Sequence, residues 1–393
     1  MTPAARVQAA IELLDAIIAA ARREGAPADR LVAEWARSHR YAGSKDRRAV
    51  RELVFRAIRA CSEVPASGRA AIAALAREDA ALLALFDGSP YGPAPLSADE
   101  AVAELGLAPT WLIEAFAASG VDSDELAALL KRAPLDVRVN TLKADRATIE
   151  LPEAGEPLAA PQGLRFPAGT LVEQWLAWRD GLIEVQDHGS QLACLAAAAR
   201  PGETVIDLCA GAGGKTLALA AAMDNSGRLI ACDIDRTRLA RLAPRAARSG
   251  AGLIETRLLD PGRELEALSD VEGTADLVLV DAPCSGTGTW RRKPEAKWRL
   301  TPERLARFAA TQDRLLDLAA QLVRPGGRVA YITCSLLDEE GRDRVESLLV
   351  RNKTLEALPI SLPLGCAHGA GLRLSPSRDG TDGFFVALLG CAC

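Results

Sequence analysis

The sequence predicts an α/β fold preceded by an all-helical module. From Ala4 to Arg23, apolar residues recur at spacings of three and four, which is typical of an amphipathic helix, and similar periods continue toward residue 131. Beyond residue 180, strand-like runs alternate with helical patterns, which indicates a parallel sheet covered by helices on both faces. A chain of 393 residues also exceeds what one hydrophobic core usually supports. We therefore expect a helical domain at residues 1–130, a small α/β subdomain at 131–180 and a larger α/β domain at 181–393.

Local periodicity predicts the individual elements. In the first domain we expect helices at residues 4–23, 31–36, 49–60, 70–86, 101–105, 109–118 and 123–131. The Pro- and Gly-rich stretch 87–97 predicts an irregular connection. An alternating pattern at residues 136–142 predicts a strand. In the last domain we expect strands at residues 204–208, 228–232, 275–280 and 328–333, and helices at 217–223, 238–249 and 302–323.

Composition excludes several classes of protein. The chain is 49% hydrophobic and 25% charged, which is ordinary for a globular protein. It has no apolar signal core and no run of eighteen apolar residues, so we expect a cytoplasmic protein without membrane contact. The nine cysteines are scattered and odd in number, without a C-x-x-C pair or histidines at zinc spacing. We therefore expect reduced thiols and no metal ion. We also expect a monomer.

The charge distribution is uneven. The net charge is −5, yet residues 1–60 and residues 289–324 each carry a surplus of five positive charges. Two basic islands on an acidic chain suggest contact with a polyanion such as RNA. Solvated helix faces explain either island equally well when it is considered alone.

A glycine-rich turn at residues 207–216 lies between a predicted strand and a predicted helix. A phosphate-binding P-loop is excluded because its first glycine would fall on Cys209. A dinucleotide fingerprint is excluded because its third glycine would fall on Thr216. Glycines at this place let the backbone approach a ligand at the carboxyl edge of the sheet. The candidate cofactor contacts in this turn are Cys209, Ala210, Gly211, Ala212, Gly213, Gly214 and Lys215.

Acidic residues follow four successive predicted strands. Asp207 lies at the end of the first run, Asp233 stands where related folds hold ribose hydroxyls, Asp260 follows a further strand-like run and could reach an adenine edge, and Asp281 follows the run at residues 275–280. Each carboxylate alone could equally be a cap or loop residue. Together they favour a cationic sulfonium cofactor that contains adenosine over a pyrophosphate.

Two cysteines follow buried strands, in Asp281-Ala-Pro-Cys284-Ser-Gly and Tyr331-Ile-Thr-Cys334-Ser. In a doubly wound sheet such strand ends line one crevice, so the two thiols can face the same pocket. A lone cysteine is more often a small buried hydrophobe. The shared position of these two favours a functional pair.

These segments resemble the RsmB/Sun family of RNA cytosine-C5 methyltransferases. The resemblance covers about residues 130–393 and includes Gln186, residues 190–192, residues 291–298, Gln312 and the segment that begins at Asp382. Residues 51–55, in a basic helix, resemble the NusB-like RNA-binding domain that precedes the catalytic part in one branch. The resemblance implies a Rossmann-like fold, S-adenosyl-L-methionine as cofactor and RNA as partner, with small-subunit ribosomal RNA favoured over transfer RNA.

The resemblance also implies roles for the site residues. Cys334 would be the nucleophile, Cys284 would assist product release, and Asp281 would bind the cytosine amino group or ring nitrogen. Lys215 would hold the cofactor carboxylate or cap its helix. In DNA cytosine methyltransferases the nucleophile lies in a Pro-Cys pair, which would assign Cys284 instead, and an RNA-binding assembly factor without turnover is a further alternative.

This chain departs from the family at two places. Gly211-Ala212 replaces the usual Ala-Pro, and Gly341 follows the acidic pair where Asn is common. The first change loosens a turn beside the cofactor, and the second removes one helix-start contact. Neither change affects the thiols.

Overall fold

The structure is a computed structural model that describes residues 1–23 and 25–392. The chain forms two compact units. One comprises Met1–Lys131 together with Thr289–Thr301, and the other comprises Arg132–Gly288 together with Pro302–Cys393. Among the described helices, none combines the length and apolarity that crossing a membrane requires.

The first unit is built from helices around an apolar core. Side-chain caps start several of them: Thr2 accepts from Ala5 N at 3.1 Å, and Ser67 accepts from Ala70 N at 3.1 Å. Apolar side chains at helical spacing, among them the fully buried Leu14, pack inward. The helices are α1 (Pro3–Arg22), α2 (Ala28–Ser38), α3 (Ser44–Ala60), α4 (Gly68–Glu78), α5 (Ala80–Leu83), α6 (Thr110–Ala118) and α7 (Ser123–Leu129).

The helix predicted at residues 101–105 is wrong. This segment is extended, and its backbone groups bond to other elements. Ala103 N donates to Ala70 O, and Glu104 O accepts from Ser62 N, each at 3.1 Å. Leu105 forms an isolated bridge with Cys61. Tertiary hydrogen bonds therefore satisfy the backbone groups that a helix would have paired internally.

The segment Thr289–Thr301 folds with the helical unit, although it is distant from it in sequence. Trp298 lies in the core of that unit and donates from Nε1 to Cys61 O at 3.3 Å. Lys297 is fully buried and donates from Nζ to Arg59 O at 2.9 Å and to Leu107 O at 3.1 Å. Part of the second basic island is therefore internal structure, and these residues cannot contact RNA in the folded unit.

The second unit begins with a small antiparallel sheet in the order β2-β3-β1-β4. Val137, Phe166 and Ile183 form its apolar core. Arg165 on β3 forms a bidentate ion pair with the buried Asp136, which lies directly opposite on β1, at 2.7 and 2.9 Å. The elements are β1 (Leu135–Val139), β2 (Glu156–Pro157), β3 (Gly163–Phe166), α8 (Leu176–Arg179) and β4 (Ile183–Val185).

A nine-stranded sheet forms the rest of this unit. Its order is β11-β12-β13-β9-β8-β5-β6-β7, and β10 pairs with β13. The elements are α9 (His188–Ala197), β5 (Thr204–Asp207), α10 (Gly214–Ala222), β6 (Arg228–Asp233), α11 (Arg236–Leu239), α12 (Leu242–Ser249), β7 (Ile254–Leu258), α13 (Glu264–Leu268), β8 (Ala275–Asp281), α14 (Pro302–Leu322), β9 (Val323–Thr333), α15 (Arg342–Arg351), β10 (Leu355–Leu358), β11 (Cys366–His368), β12 (Gly371–Leu374), α16 (Pro376–Asp379) and β13 (Phe384–Cys391).

The predicted α/β fold is confirmed, and the sheet is mixed rather than wholly parallel. Strands β5 to β9 pair in parallel, while β13 pairs antiparallel with β9 and carries an antiparallel extension. Val205 packs in one apolar cluster and its neighbour Ile206 in another, so both faces of the sheet are covered. The carboxyl ends of β5, β6 and β8 lie at one edge.

The buried Lys297 generates a prediction about stability. Burial lowers the pKa of Lys297 from 10.5 to about 8, and Cys61 opposes that shift. Between these two pH values the unfolded chain binds the proton and the folded protein does not, so stability should increase as pH rises through the window. Relative to Lys297→Met, the wild type should gain about 1–3 kcal/mol of unfolding free energy between pH 7.5 and pH 10. Urea unfolding at several pH values measures this difference, and parallel curves for the two proteins would contradict it.

Candidate active site

The two cysteines predicted to form a functional pair lie in contact. They follow β8 and β9, which are parallel neighbours with Asp281 opposite Ile332. Each side chain is partly exposed, and the Sγ atoms of Cys284 and Cys334 are 3.4 Å apart. Two reduced thiols therefore share one small region at the carboxyl edge of the sheet.

Hydrogen bonds between the two loops fix this arrangement. Gly288 N donates to Cys334 O at 3.0 Å. The Thr287 and Ser335 hydroxyls are 2.9 Å apart, and Thr287 Oγ1 also accepts from Leu336 N at 3.1 Å. Close packing leaves no room for a side chain at position 288, because a Cβ there would lie 2.2 Å from Gly383 O. The loop that carries Cys284 is thus held against the loop that carries Cys334.

Lys215 lies beside the thiol pair as part of an ion pair. Its Nζ is 2.7 Å from Asp281 Oδ2 and lies over the ring of Phe384 at 5.5 Å from the centroid. Burial opposes its charged form, but the charge and the hydrogen bond of Asp281 raise the pKa of Lys215. The sequence leaves two roles open for Lys215, holding the cofactor carboxylate or capping its helix. The geometry adds a third role, which is to orient Asp281 and to place a positive charge near Cys334.

Glu340 is a buried group of this site that the sequence motifs did not mark. It is completely inaccessible, and its Oε1 accepts from Ser285 N at 2.8 Å and from Gln312 Nε2 at 3.2 Å. Its Oε2 accepts from the Ser285 hydroxyl. In the sequence, the acidic pair 339–340 is only a position shared with the family, and nothing in local sequence indicates that Glu340 reaches the loop of Cys284.

The environment distinguishes the two thiols. The pKa of Cys284 is raised by its hydrogen bond with Cys334, by burial, and by the negative charges of Cys334 and Glu340. Cys334, in contrast, lies near the Lys215 ammonium. Negative charge beside Cys284 disfavours its thiolate.

The glycine turn has the geometry of a close approach to a ligand. Gly211 and Gly213 adopt φ values of 55° and 89°, which disfavour side chains. A Cβ at Gly213 would lie 2.1 Å from Leu242 Cδ1, whereas a Cβ at Gly214 would meet nothing within 4 Å. The turn is therefore packed on one side and open at Gly214. Arg238 contacts the position where the family's usual alanine would place its Cβ at residue 211.

The remaining residues of the turn lie between β5 and α10. Ala210 is buried and donates its backbone N–H to Cys232 O at 2.8 Å. Cys209 and Ala212 are partly exposed, and burial together with nearby carboxylates raises the pKa of Cys209. Ala212 O accepts from Arg245 at 2.6 Å.

The predicted acidic residues lie at the same edge in different environments. Asp233 is 4% exposed and accepts from Gly211 N at 2.8 Å and from Asp235 N at 2.7 Å. A carboxylate has further lone pairs, so Asp233 can also accept from ribose hydroxyls. Asp260 is exposed two residues beyond β7. Asp207 is buried and accepts from the Thr216 hydroxyl at 2.7 Å, and burial raises its pKa to about 7.

Other family positions serve the architecture of the unit. Gln191 donates to Val137 O at 3.1 Å and to Gln186 O at 2.9 Å, which joins α9 to the small sheet. Gly341 starts α15 without a side-chain cap, and a Cβ there would lie 2.8 Å from the Phe385 ring. Within residues 1–23 and 25–392, no three His, Cys, Asp or Glu side chains form a group that could hold a metal ion.

A parallel sheet with one antiparallel strand beside β9, and an open glycine turn after its central strand β5, is the architecture of S-adenosylmethionine-dependent methyltransferases. A model of the 16S rRNA methyltransferase RsmB/F family matches residues 194–390, which is half of the chain. The protein therefore belongs to this family, and the resemblance found in the sequence is confirmed. S-adenosyl-L-methionine is its cofactor, and the open turn beside Asp233 fits an adenosine-containing ligand.

Three known proteins illustrate the relationship. The chain is 33% identical over 299 residues to the probable ribosomal RNA small subunit methyltransferase B of Synechocystis, covering 72% of this chain and 66% of that protein. It is 39% identical over 208 residues to ribosomal RNA small subunit methyltransferase B of Thermus thermophilus, covering 53% and 50%. The crystal structure of PH0851 matches 99% of both chains, with a TM-score of 0.74 and 26% identity. The chain thus spans from half to two thirds of these two curated relatives.

We expect Asp233→Ala to weaken the binding of S-adenosylmethionine by about 1–3 kcal/mol, because it removes a buried acceptor and frees Gly211 N. Isothermal calorimetry measures the affinity. Asp235→Ala is the matched control, since Asp235 caps α11 through Thr237 N and Arg238 N and its loss should lower stability more than affinity. Unchanged affinity in Asp233→Ala would remove Asp233 from the cofactor site.

Proposed function

We propose that the protein methylates carbon 5 of a cytosine in RNA, with small-subunit ribosomal RNA as the favoured substrate. The single observation that carries this proposal is the contact between the Cys284 and Cys334 sulfurs at the edge that also holds the glycine turn. A cytosine placed there would meet both thiols and Asp281. The relatives named as ribosomal RNA small subunit methyltransferase B support the choice of RNA.

The chemistry requires a nucleophile because carbon 5 of cytosine is itself unreactive. Addition of the Cys334 thiolate to carbon 6 produces an enamine whose carbon 5 can attack an electrophile. S-adenosylmethionine supplies that electrophile as a methyl group on positively charged sulfur. Asp281, held by Lys215 at 2.7 Å, is placed to bind the amino group or ring nitrogen of the cytosine.

Completion of the cycle requires loss of the hydrogen on carbon 5 before the Cys334 sulfur can leave. Cys284 is the candidate for this step because it lies 3.4 Å from the sulfur that would hold the substrate. A raised pKa makes its thiolate a stronger base once formed. The opposite assignment, with Cys284 as nucleophile as in DNA cytosine methyltransferases, places the attacking thiolate near the negative charge of Glu340, which disfavours it.

Two alternatives concern the substrate and turnover. Transfer RNA would require the same chemistry at carbon 5, and bisulfite sequencing of both RNA classes with and without the gene separates it from ribosomal RNA. A non-catalytic assembly factor would bind RNA without needing paired thiols. The presence of both thiols in contact favours an enzyme.

The helical unit carries a surface suited to RNA. Arg37, Arg40, Lys45, Arg48 and Arg51 are exposed, and none forms an ion pair with an acidic side chain that the structure describes. We call these five residues the basic patch. It occupies the end of α2, the connecting loop and the first half of α3. Unpaired cations grouped on one surface attract the phosphate backbone.

An aromatic side chain extends into solvent beside the basic patch. Tyr41 is 72% exposed, and its ring meets that of His39 edge to face at 5.7 Å. His39 in turn stacks on the buried Trp35 at 4.8 Å. Exposed aromatic rings among cations are typical of surfaces that stack unpaired bases. These contacts support an RNA-binding role for the helical unit.

The thiol assignments predict different failures in the two cysteine variants. Cys334→Ala should abolish methylation and any covalent RNA adduct, because no thiolate remains to attack carbon 6. Cys284→Ala should permit attack and methyl transfer but slow elimination, so an adduct should accumulate when cofactor is present. Denaturing gel electrophoresis of labelled RNA measures the adduct, under reducing conditions because sulfurs this close can form a disulfide.

Cys366→Ala is the control, since Cys366 is partly exposed in β11 and its sulfur accepts a hydrogen bond from Arg378 and contacts neither site cysteine. It should methylate RNA at the wild-type rate. An adduct with Cys334→Ala but not with Cys284→Ala would reverse the assignment. Full methylation by either site variant would contradict the proposed chemistry.

The basic patch predicts a change in the salt dependence of RNA binding. Arg48→Glu with Arg51→Glu should weaken RNA binding at least tenfold and reduce the slope of log affinity against log salt by about 1–2, because phosphate contacts are lost. Point variants are preferred to deletion of the helical unit, because deletion would expose Lys297 and Trp298. Arg30→Glu with Arg263→Glu, which alters two exposed ion-paired arginines, changes the net charge equally and should leave the slope unchanged.

A further inference from the structure

We propose that Glu340 is a positioning residue that fixes the peptide on both sides of Cys284 and places a negative charge near its sulfur, which disfavours the Cys284 thiolate. This inference rests on the proposed function, because the role of Cys284 comes from it. The hydrogen bonds of Glu340 themselves involve no substrate. Glu340 lies in the one-turn segment Asp338–Glu340, before α15.

The hydrogen bonds of Glu340 hold the loop of Cys284 from two sides. After the cysteine, Ser285 donates its backbone N–H to Oε1 at 2.8 Å and its hydroxyl to Oε2. Before the cysteine, Pro283 O accepts at 2.9 Å from Gln312 Nε2, which also donates to Glu340 Oε1 at 3.2 Å. One carboxylate thereby sets the path of three consecutive residues, of which the middle one is Cys284.

The same carboxylate is connected to the loop of Cys334. Ser335 donates a hydrogen bond to it, and the Ser335 hydroxyl also lies 3.4 Å from that of Ser285. The Tyr331 hydroxyl donates to the backbone carbonyl of Glu340 at 2.7 Å. The distance between the two sulfurs therefore depends on a group that touches both loops and need not touch the substrate.

The partners of Glu340 favour its ionised form. Oε1 receives two N–H groups, which cannot accept a proton, and Oε2 meets serine hydroxyls, which can donate. Burial is the largest effect and leaves the pKa of Glu340 above its ordinary value, and the hydrogen bonds from Ser285, Ser335 and Gln312 partly offset that rise. A carboxylate surrounded by donors is stabilised in its charged state.

Charged groups around the pair are arranged asymmetrically. On the side of Cys284 lie Glu340 and the buried Tyr331. On the side of Cys334 lies the Lys215 ammonium, paired with Asp281.

The outer groups do not alter this asymmetry. The positive charge of Arg344 lowers the pKa of Tyr331, but Arg344 is paired with Asp313 at 2.6 Å. Cys194 lies near Lys215, and burial raises the pKa of that thiol to about 11, so it stays neutral near pH 7. The Glu340 charge therefore remains a nearby negative charge that disfavours ionisation of Cys284.

Alkylation of the thiols tests this inference without RNA or cofactor. In full-length protein carrying Cys334→Ser, so that Cys284 titrates alone, the rate of Cys284 carbamidomethylation by iodoacetamide is measured against pH by peptide mass spectrometry. Adding Glu340→Gln should lower the midpoint of that profile by about one pH unit, because a nearby like charge is removed. A purely structural role would speed alkylation at every pH without moving the midpoint.

Glu339→Gln is the matched control, because the adjacent Glu339 is partly exposed and makes no recorded side-chain hydrogen bond with the described residues. Its midpoint should equal that of the parent. A Glu340→Gln midpoint that equals the parent's, or a Glu339→Gln midpoint that shifts as far, would overturn the charge assignment.

Glu340→Asp tests positioning separately and remains available if Glu340→Gln does not fold. It retains the charge but shortens the reach, so the midpoint should stay at the parent value while the wild-type background loses methylation rate by about tenfold or more. An unchanged rate in Glu340→Asp would overturn the positioning role. Failure of RNA methylation in every protein, wild type included, would instead count against the proposed function and leave the alkylation result standing.

Discussion

The parallel pairing of β8 with β9 is the constraint on which the site depends. Because parallel neighbours end at the same edge, the loops after Asp281 and Thr333 leave the sheet side by side. The bonds from Ala282 N to Ile332 O at 2.9 Å and from Gly288 N to Cys334 O at 3.0 Å continue this pairing beyond the strands. The sulfur contact is therefore a consequence of sheet topology, and the loops need only small adjustments to achieve it.

Much of the second unit could be predicted because its sequence signals are local. The strands before Cys209, Asp233, Cys284 and Cys334 are short apolar runs followed by turn residues, and buried parallel strands produce this pattern. Ligands bind at the carboxyl edge of such sheets, and both cysteines follow strands that end there. The sequence therefore predicts that the two thiols lie close together. The glycine turn was predicted for the same reason, since the positive φ at Gly213 requires glycine.

The features that could not be predicted arise from contacts between distant parts of the chain. Residues 101–105 have helical periodicity, yet Ser62 and Ala70 satisfy their backbone groups from elsewhere. Lys297 belongs to a basic run in the sequence, but its ammonium donates hydrogen bonds to Arg59 O and Leu107 O inside the helical unit. Charge patterns report composition along the chain and not whether a charge is exposed. The antiparallel pairing of β13 with β9 similarly joins residues more than fifty positions apart.

The buried polar network around Glu340 restricts the geometry of the site and does not maximise the stability of the fold. Placing a carboxylate, two serine hydroxyls and an amide in the interior costs desolvation, and a well-packed apolar cluster of the same size would often be at least as stable. A polar network has, however, only a few arrangements that satisfy all of its members, whereas apolar side chains can slide over one another. For the proposed reaction, in which two sulfurs act on one pyrimidine ring, a fixed geometry matters more than additional stability. The ion pair of Lys215 and Asp281 on the opposite side follows the same logic, because each group restricts the position of the other.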